Sequence, residues 1–272
     1  TAVRTADGSA TQQTFTYHPT GLMNTATFNN QTQTLTNLWD ADEHRVRFSI
    51  GEDEYTAVFD VTAGIPAVIK EVTPSGTIYY VREPGGELIC RVVSSDKWYY
   101  HFDELGSTRL ITDGSGSVTD RYSYDAYGAV IAHDRNTGTI DQPYQYVGQL
   151  GYYTHYQAPE FGWLQLGVRF YQPELGRFER RDPREVDRTS AYSYVEGSPL
   201  SNADPLGLIS MSRMACPDLL RLIYEQDRQV WSRYHDLRKD KNKWWLKCDP
   251  RRITHEQEFV RRQKSLAAAT QE

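Results

Sequence analysis

"YYHFDELGSTRLITDGSGSVTDRYSYDAYGAV", residues 99–130, decides the fold. Ser107, Thr108, Leu110 and Ile111 build a short β-prone run, Asp-Gly-Ser-Gly-Ser at 113–117 supplies a turn, and Val118, Tyr122 and Tyr124 return with period two. Alternation on both sides of a glycine-bearing turn is the mark of a β-hairpin. The same grammar extends outward to "TPSGTIYYVREPGGELICRVV" (73–93) and "QYVGQLGYY" (145–153). A unit recurring at roughly twenty residues reads as a stacked repeat, because one hairpin alone cannot bury its apolar face. Gly21, Gly106, Gly116 and Gly128 fall where such turns need positive φ.

Composition agrees. The 272 residues include 19 Tyr and 19 Gly, a balance that suits many short strands and turns. The formal net charge of -6 gives no general argument for a nucleic-acid partner. No apolar run reaches membrane-spanning length. The first residues, TAVRTADGSA, carry neither Met nor a charged-then-apolar leader, so the chain is expected to be a piece of something longer. Cys90, Cys216 and Cys248 are odd in number and widely spaced, so neither a zinc motif nor a disulfide framework is expected. No cofactor is expected.

A boundary falls within "NADPLGLISMSRM" (202–214). No glycine follows Gly207. Residues 209–272 hold 14 Lys+Arg against 9 Asp+Glu, net +5; residues 1–208 hold 16 against 27, net -11. Long-range attraction would hold a basic tail to an acidic body; an ordinary solvated helix surface is the plainer alternative. The tail is predicted helical. Pro217 fits a first helical turn, Leu219, Ile223, Val230, Tyr234 and Leu237 form a stripe, and Thr254 with Gln257 forms a capping box for a second helix. Between them, "KDKNKWWLKCDP" (239–250) is a loop. His235, Asp236, His255 and Glu256 allow an acid–base reading. Lys239, Lys241, Lys243, Trp244 and Trp245 allow a nucleic-acid reading. Solvated side chains and a packed tryptophan anchor explain them as well.

The opening stretch closely resembles a unit of the YD-repeat, or RHS-repeat, proteins. "GVRFYQPELGRFERRDP" (167–183) followed by "AYSYVEGSPLSNADPLGL" (191–208) resembles the RHS repeat-associated core. Residues 1–96 resemble degenerate upstream repeats. The resemblance implies three regions: 1–96, repeats; 97–208, a repeat plus the core; 209–272, a helical C-terminal segment. It implies a mainly β fold, an antiparallel ribbon curled as part of a hollow shell, followed by a small α-helical hairpin. It implies a secreted or cell-surface protein, delivered by upstream sequence or a dedicated secretion system. Its partners would be its own segment 209–272, the upstream part of a longer chain, and an immunity or secretion partner.

The resemblance also implies a cut after Asp-Pro-x-Gly-Leu by an aspartyl self-protease. Asp182 in "RRDP" and Asp204 in "ADPLGL" would be the two acids, Arg181 would hold one carboxylate ionised, and Gly207 would let the backbone approach at Leu208–Ile209. Two adjacent carboxylates cannot both ionise, so one activates water while the other keeps a proton. Asp-Pro and Pro-Leu-Gly are also ordinary turn formers. The chain departs from the family pattern at Arg184 and Glu185, and at Gly197-Ser198-Pro199; Asp187 is a spare carboxylate. Three functions therefore compete: a self-cleaving shell around its own tail, an inactive structural or adhesive module, and a carrier of a small basic toxin acting on nucleic acid.

Overall fold

The computed structural model describes residues 2–6, 9–28, 32–62, 65–83, 86–183, 191–208 and 210–212. The helical hairpin expected within 209–272, with Cys216 and Cys248, lies outside them, as do Ile209, Arg184, Glu185 and Asp187. Among the described residues the only helices are short 3-10 turns.

Thirteen antiparallel strands, from Ala2–Ala6 to Val130–Arg135, form one sheet in strict chain order. The predicted hairpin is there: Thr108–Asp113 pairs with Val118–Tyr124. Period two divides the strands between faces. In Gly76–Arg82, Ile78 and Tyr80 are buried while Tyr79 and Val81 are exposed. The sheet crosses residue 96 without a break, through Asp96–Phe102.

After Arg135 the chain turns back over the inner face. Strands Tyr153–Thr154, Leu164–Leu166, Arg169–Gln172 and Arg177–Phe178 make a small second sheet. Aromatic side chains of this returning segment meet the large sheet along its length. Phe15 stacks on Trp163 at 4.8 Å, Phe48 meets Tyr153 at 5.7 Å, Tyr80 meets Tyr144 at 4.9 Å and Tyr124 meets Tyr146 at 5.8 Å. Laid flat, thirteen strands would span roughly 58 Å at about 4.8 Å each. A short segment can touch both ends only if the sheet curls around it. Burial of these aromatics supplies the main driving force.

Polar contacts fix the docking. The Tyr80 and Tyr153 hydroxyls donate to buried Glu71 at 3.0 and 2.7 Å. Arg45 Nη1 donates to His155 Nε2 at 2.7 Å, while His155 Nδ1 donates to the Trp163 carbonyl at 3.1 Å. Both ring nitrogens of His155 are thereby committed in the neutral form. Burial, reinforced by the Arg45 charge, holds its pKa well below the usual histidine range.

Candidate functional site

Asp-Pro-Leu-Gly-Leu (204–208) folds as the hairpin turns do. In the repeats, Asp103, Asp113 and Asp125 each accept the N–H four residues on at 2.9 Å, and their backbone carbonyls accept the glycine N–H three residues on. At Asp204 the same two bonds recur: Leu208 N–H to Oδ1 at 2.9 Å and Gly207 N–H to the Asp204 carbonyl at 3.2 Å. Gly207 has φ +65°, and a Cβ there would overlap the Leu166 carbonyl oxygen and lie 3.1 Å from the Arg169 backbone nitrogen. The turn and the Leu166–Arg169 hairpin are thus in backbone-to-backbone contact that only glycine permits. Downstream, Ala203 pairs with Met211, so the chain closes on itself across 204–210.

What distinguishes this turn is its surroundings. Asp204 is 2% exposed and Asp182 7%. Arg169 Nη2 lies 3.1 Å from Asp182 Oδ2 and 3.4 Å from Asp204 Oδ2. One nitrogen therefore brings together two carboxylates that lie 22 positions apart in sequence. Arg169 Nε donates to the Gly207 carbonyl, and its guanidinium covers the Phe178 ring at 3.6 Å. Burial pulls the Arg169 pKa down, opposed by the charges of Asp204 and Asp182. Arg169 Nη1 is buried with no hydrogen-bond partner among the described residues. Buried charges persist only when paired in this manner.

Further bonds hold the acids in place. The Asp182 N–H donates to the Ala191 carbonyl at 2.9 Å. The Asp204 N–H donates to the Tyr152 hydroxyl at 2.6 Å, and that hydroxyl meets the Tyr194 hydroxyl at 2.9 Å. Burial, with the Asp204 charge, keeps the Tyr152 phenol neutral well above its usual range.

The sequence-predicted residues fall as follows. Asp182 and Asp204 come together; Gly207 and Leu208 are in direct contact with that pair's arginine or acid; Ile209 lies outside the described residues. Arg181 is exposed, and the guanidinium that touches both acids is Arg169. Arg169 opens Arg169–Gln172, a strand whose four residues are all buried. Among the described residues no helix is long and apolar enough to cross a membrane, which says nothing of strands.

No family model matches the chain. It is 28% identical over 134 residues to the tRNA3(Ser)-specific nuclease WapA of Bacillus spizizenii, which covers 47% of this chain and 5% of that protein. It is 27% identical over 162 residues to the double-stranded DNA deaminase toxin A of Burkholderia cenocepacia, covering 52% of this chain and 11% of the toxin. The chain thus spans a small part of these relatives' length. In structure it resembles the crystallised TcdB2-TccC3 with a TM-score of 0.54 at 18% identity, over 72% of this chain and 10% of the other. In its repeat motifs, its meander sheet and these relatives, the chain is similar to the YD-repeat, or RHS-repeat, proteins.

Proposed function

We propose that this chain forms part of a YD-repeat shell that holds its own segment 209–272 and cuts itself once, after Leu208. The observation that carries this reading is the single Arg169 nitrogen shared by Asp182 and Asp204, beside a turn whose Leu208 N–H already rests on Asp204. In the reaction one carboxylate, ionised, takes a proton from water. The water oxygen attacks the Leu208 carbonyl carbon, while the other carboxylic acid protonates or polarises the carbonyl oxygen. Breaking the C–N bond leaves a carboxylate on Leu208 and, after proton transfer, an amine on Ile209. Arg169 keeps the acids together, and its Nη1 is a donor for the developing oxyanion. Pairing of Asn202–Ala203 with Met211–Ser212 would keep the two products associated. Intact-mass measurement tests the reading: two chains, the second beginning at Ile209, are expected.

The tail as toxin cargo is a second part of the proposal. It is favoured by relatives named as a tRNA nuclease and a DNA deaminase toxin, and by the +5 net charge of 209–272. Secretion or surface display, with an immunity partner, belongs to the same proposal. Incubating the purified protein with tRNA and duplex DNA tests it; neither substrate changing would remove the nucleic-acid cargo.

A further inference from the structure

Glu179 and Arg180 take no part in the acid pair, yet they bracket its arginine. Glu179 Oε2 accepts the Phe170 N–H at 2.9 Å, and the Glu179 N–H donates to the Phe170 carbonyl at 3.0 Å. Arg180 Nη2 donates to the Val168 carbonyl at 3.3 Å. Both chain neighbours of Arg169 are therefore held from one short segment. The Glu179 side chain is 2% exposed, and its Oε1, 3.8 Å from Arg180 Nε, has no hydrogen-bond partner among the described residues. A Cβ at Gly21 would overlap Arg180 Nη1, so that guanidinium is packed against the turn that joins Ser9–Tyr17 to Met23–Phe28 in the large sheet.

Charged and titratable groups face this segment from several elements. Asp182 and Asp204 reach it through Arg169, Glu179 lies on it beside Arg180, and Tyr17 faces it from strand Ser9–Tyr17. Glu179 is buried and its Oε1 has no hydrogen-bond partner among the described residues, so its negative charge is costly there. Burial pushes Glu179 up to about 7, with Arg180 working against it. Ionised Glu179 in turn makes the neighbouring acids hold their own proton more tightly.

We propose that Glu179, with Arg180, is a positioning pair for Arg169 that sets the pH range over which Asp182 and Asp204 act; this rests on the self-cleavage reading. The test follows cleavage against pH in the full chain, recovered uncut in denaturant and folded by dilution. Replacing Glu179 with the isosteric amide, Glu179→Gln, keeps the acceptor for Phe170 and removes the charge. Its alkaline limb should move to lower pH by about half a unit. Superimposable profiles, or uniform slowing at every pH, would overturn the proposal and leave the cleavage reading standing. A wild-type chain that never cuts would overturn that reading and this one with it. Stability gives a second measurement, read as the difference between the Asp182→Asn and the Asp182→Asn/Glu179→Gln chains at each pH, because His155 titrates in the same window with the opposite sign. The folded state binds the Glu179 proton more tightly, so the stability of the Asp182→Asn chain relative to the double variant should fall as pH rises from 4.5 to about 7. A difference that stays constant across that window would overturn the proposal.

Discussion

The turn at Asp125 and the turn at Asp204 share a backbone and differ in setting. Each aspartate caps the N–H four residues on at 2.9 Å, and each has a glycine in the fourth position with positive φ. Asp125 faces water. Asp204 is buried against Arg169 and a second acid. The comparison teaches that the D-x-x-G-x turn is the repeat's ordinary corner, and that turning such a corner inward gives it buried charged partners. Desolvation converts a hydrogen-bond acceptor of little energetic consequence into half of a charged cluster.

The largest effect that could break this comparison is on cleavage. Asp182→Asn should leave a single intact chain by mass spectrometry, with an unchanged far-UV spectrum, whereas Asp125→Asn should cut as wild type does. Equal behaviour of the two variants would remove the distinction.

Next comes the glycine. Gly116 and Gly207 both have positive φ, but a Cβ at 116 meets nothing within 4 Å, while one at 207 strikes backbone. Gly116→Ala should cost about 1 kcal/mol in denaturant unfolding, and Gly207→Ala roughly 3 kcal/mol or more. Similar costs would mean that the core turn relaxes freely.

A buried polar contact elsewhere sharpens the same point. His155 has its folded pKa well below 6.5, so the unfolded state binds the proton more readily. Stability should therefore decline as pH falls below about 6.5, as the unfolded histidine takes up its proton. In a His155→Gln chain, which can still donate to Trp163 and accept from Arg45, that part of the decline should vanish. A decline of the same size in both chains would assign it to other groups. The smallest effect is Asp125→Ala, about 1 kcal/mol or less at an exposed cap.

The large sheet was legible because its signals are local. Thr108–Asp113 and Val118–Tyr124 announce themselves by alternation, and Gly21, Gly106, Gly116 and Gly128 all have positive φ. The two acids and Gly207 were legible only through resemblance. Arg169 had no such signal, because it lies 13 positions before Asp182 and 35 before Asp204. The guanidinium between the acids comes from it, across a hairpin. The role of His155, docked on Arg45 110 positions earlier, has no local signature at all.

The strict chain order of the thirteen strands has a kinetic consequence. Every pairing in that sheet joins consecutive strands, so it can zip up as it is made, with little loop-closure cost at any step. The contacts that span long distances, Arg45 with His155 and Glu71 with Tyr153, all belong to the returning segment. That segment also carries both acids and their arginine. The wall is thus built from short-range pairings, and the acid cluster depends on long-range ones, which contact order predicts to form later. A chain whose sheet is unfinished offers no complete surface for that cluster to dock on, so under the proposed self-cleavage the wall would have to be complete before the cut at Leu208.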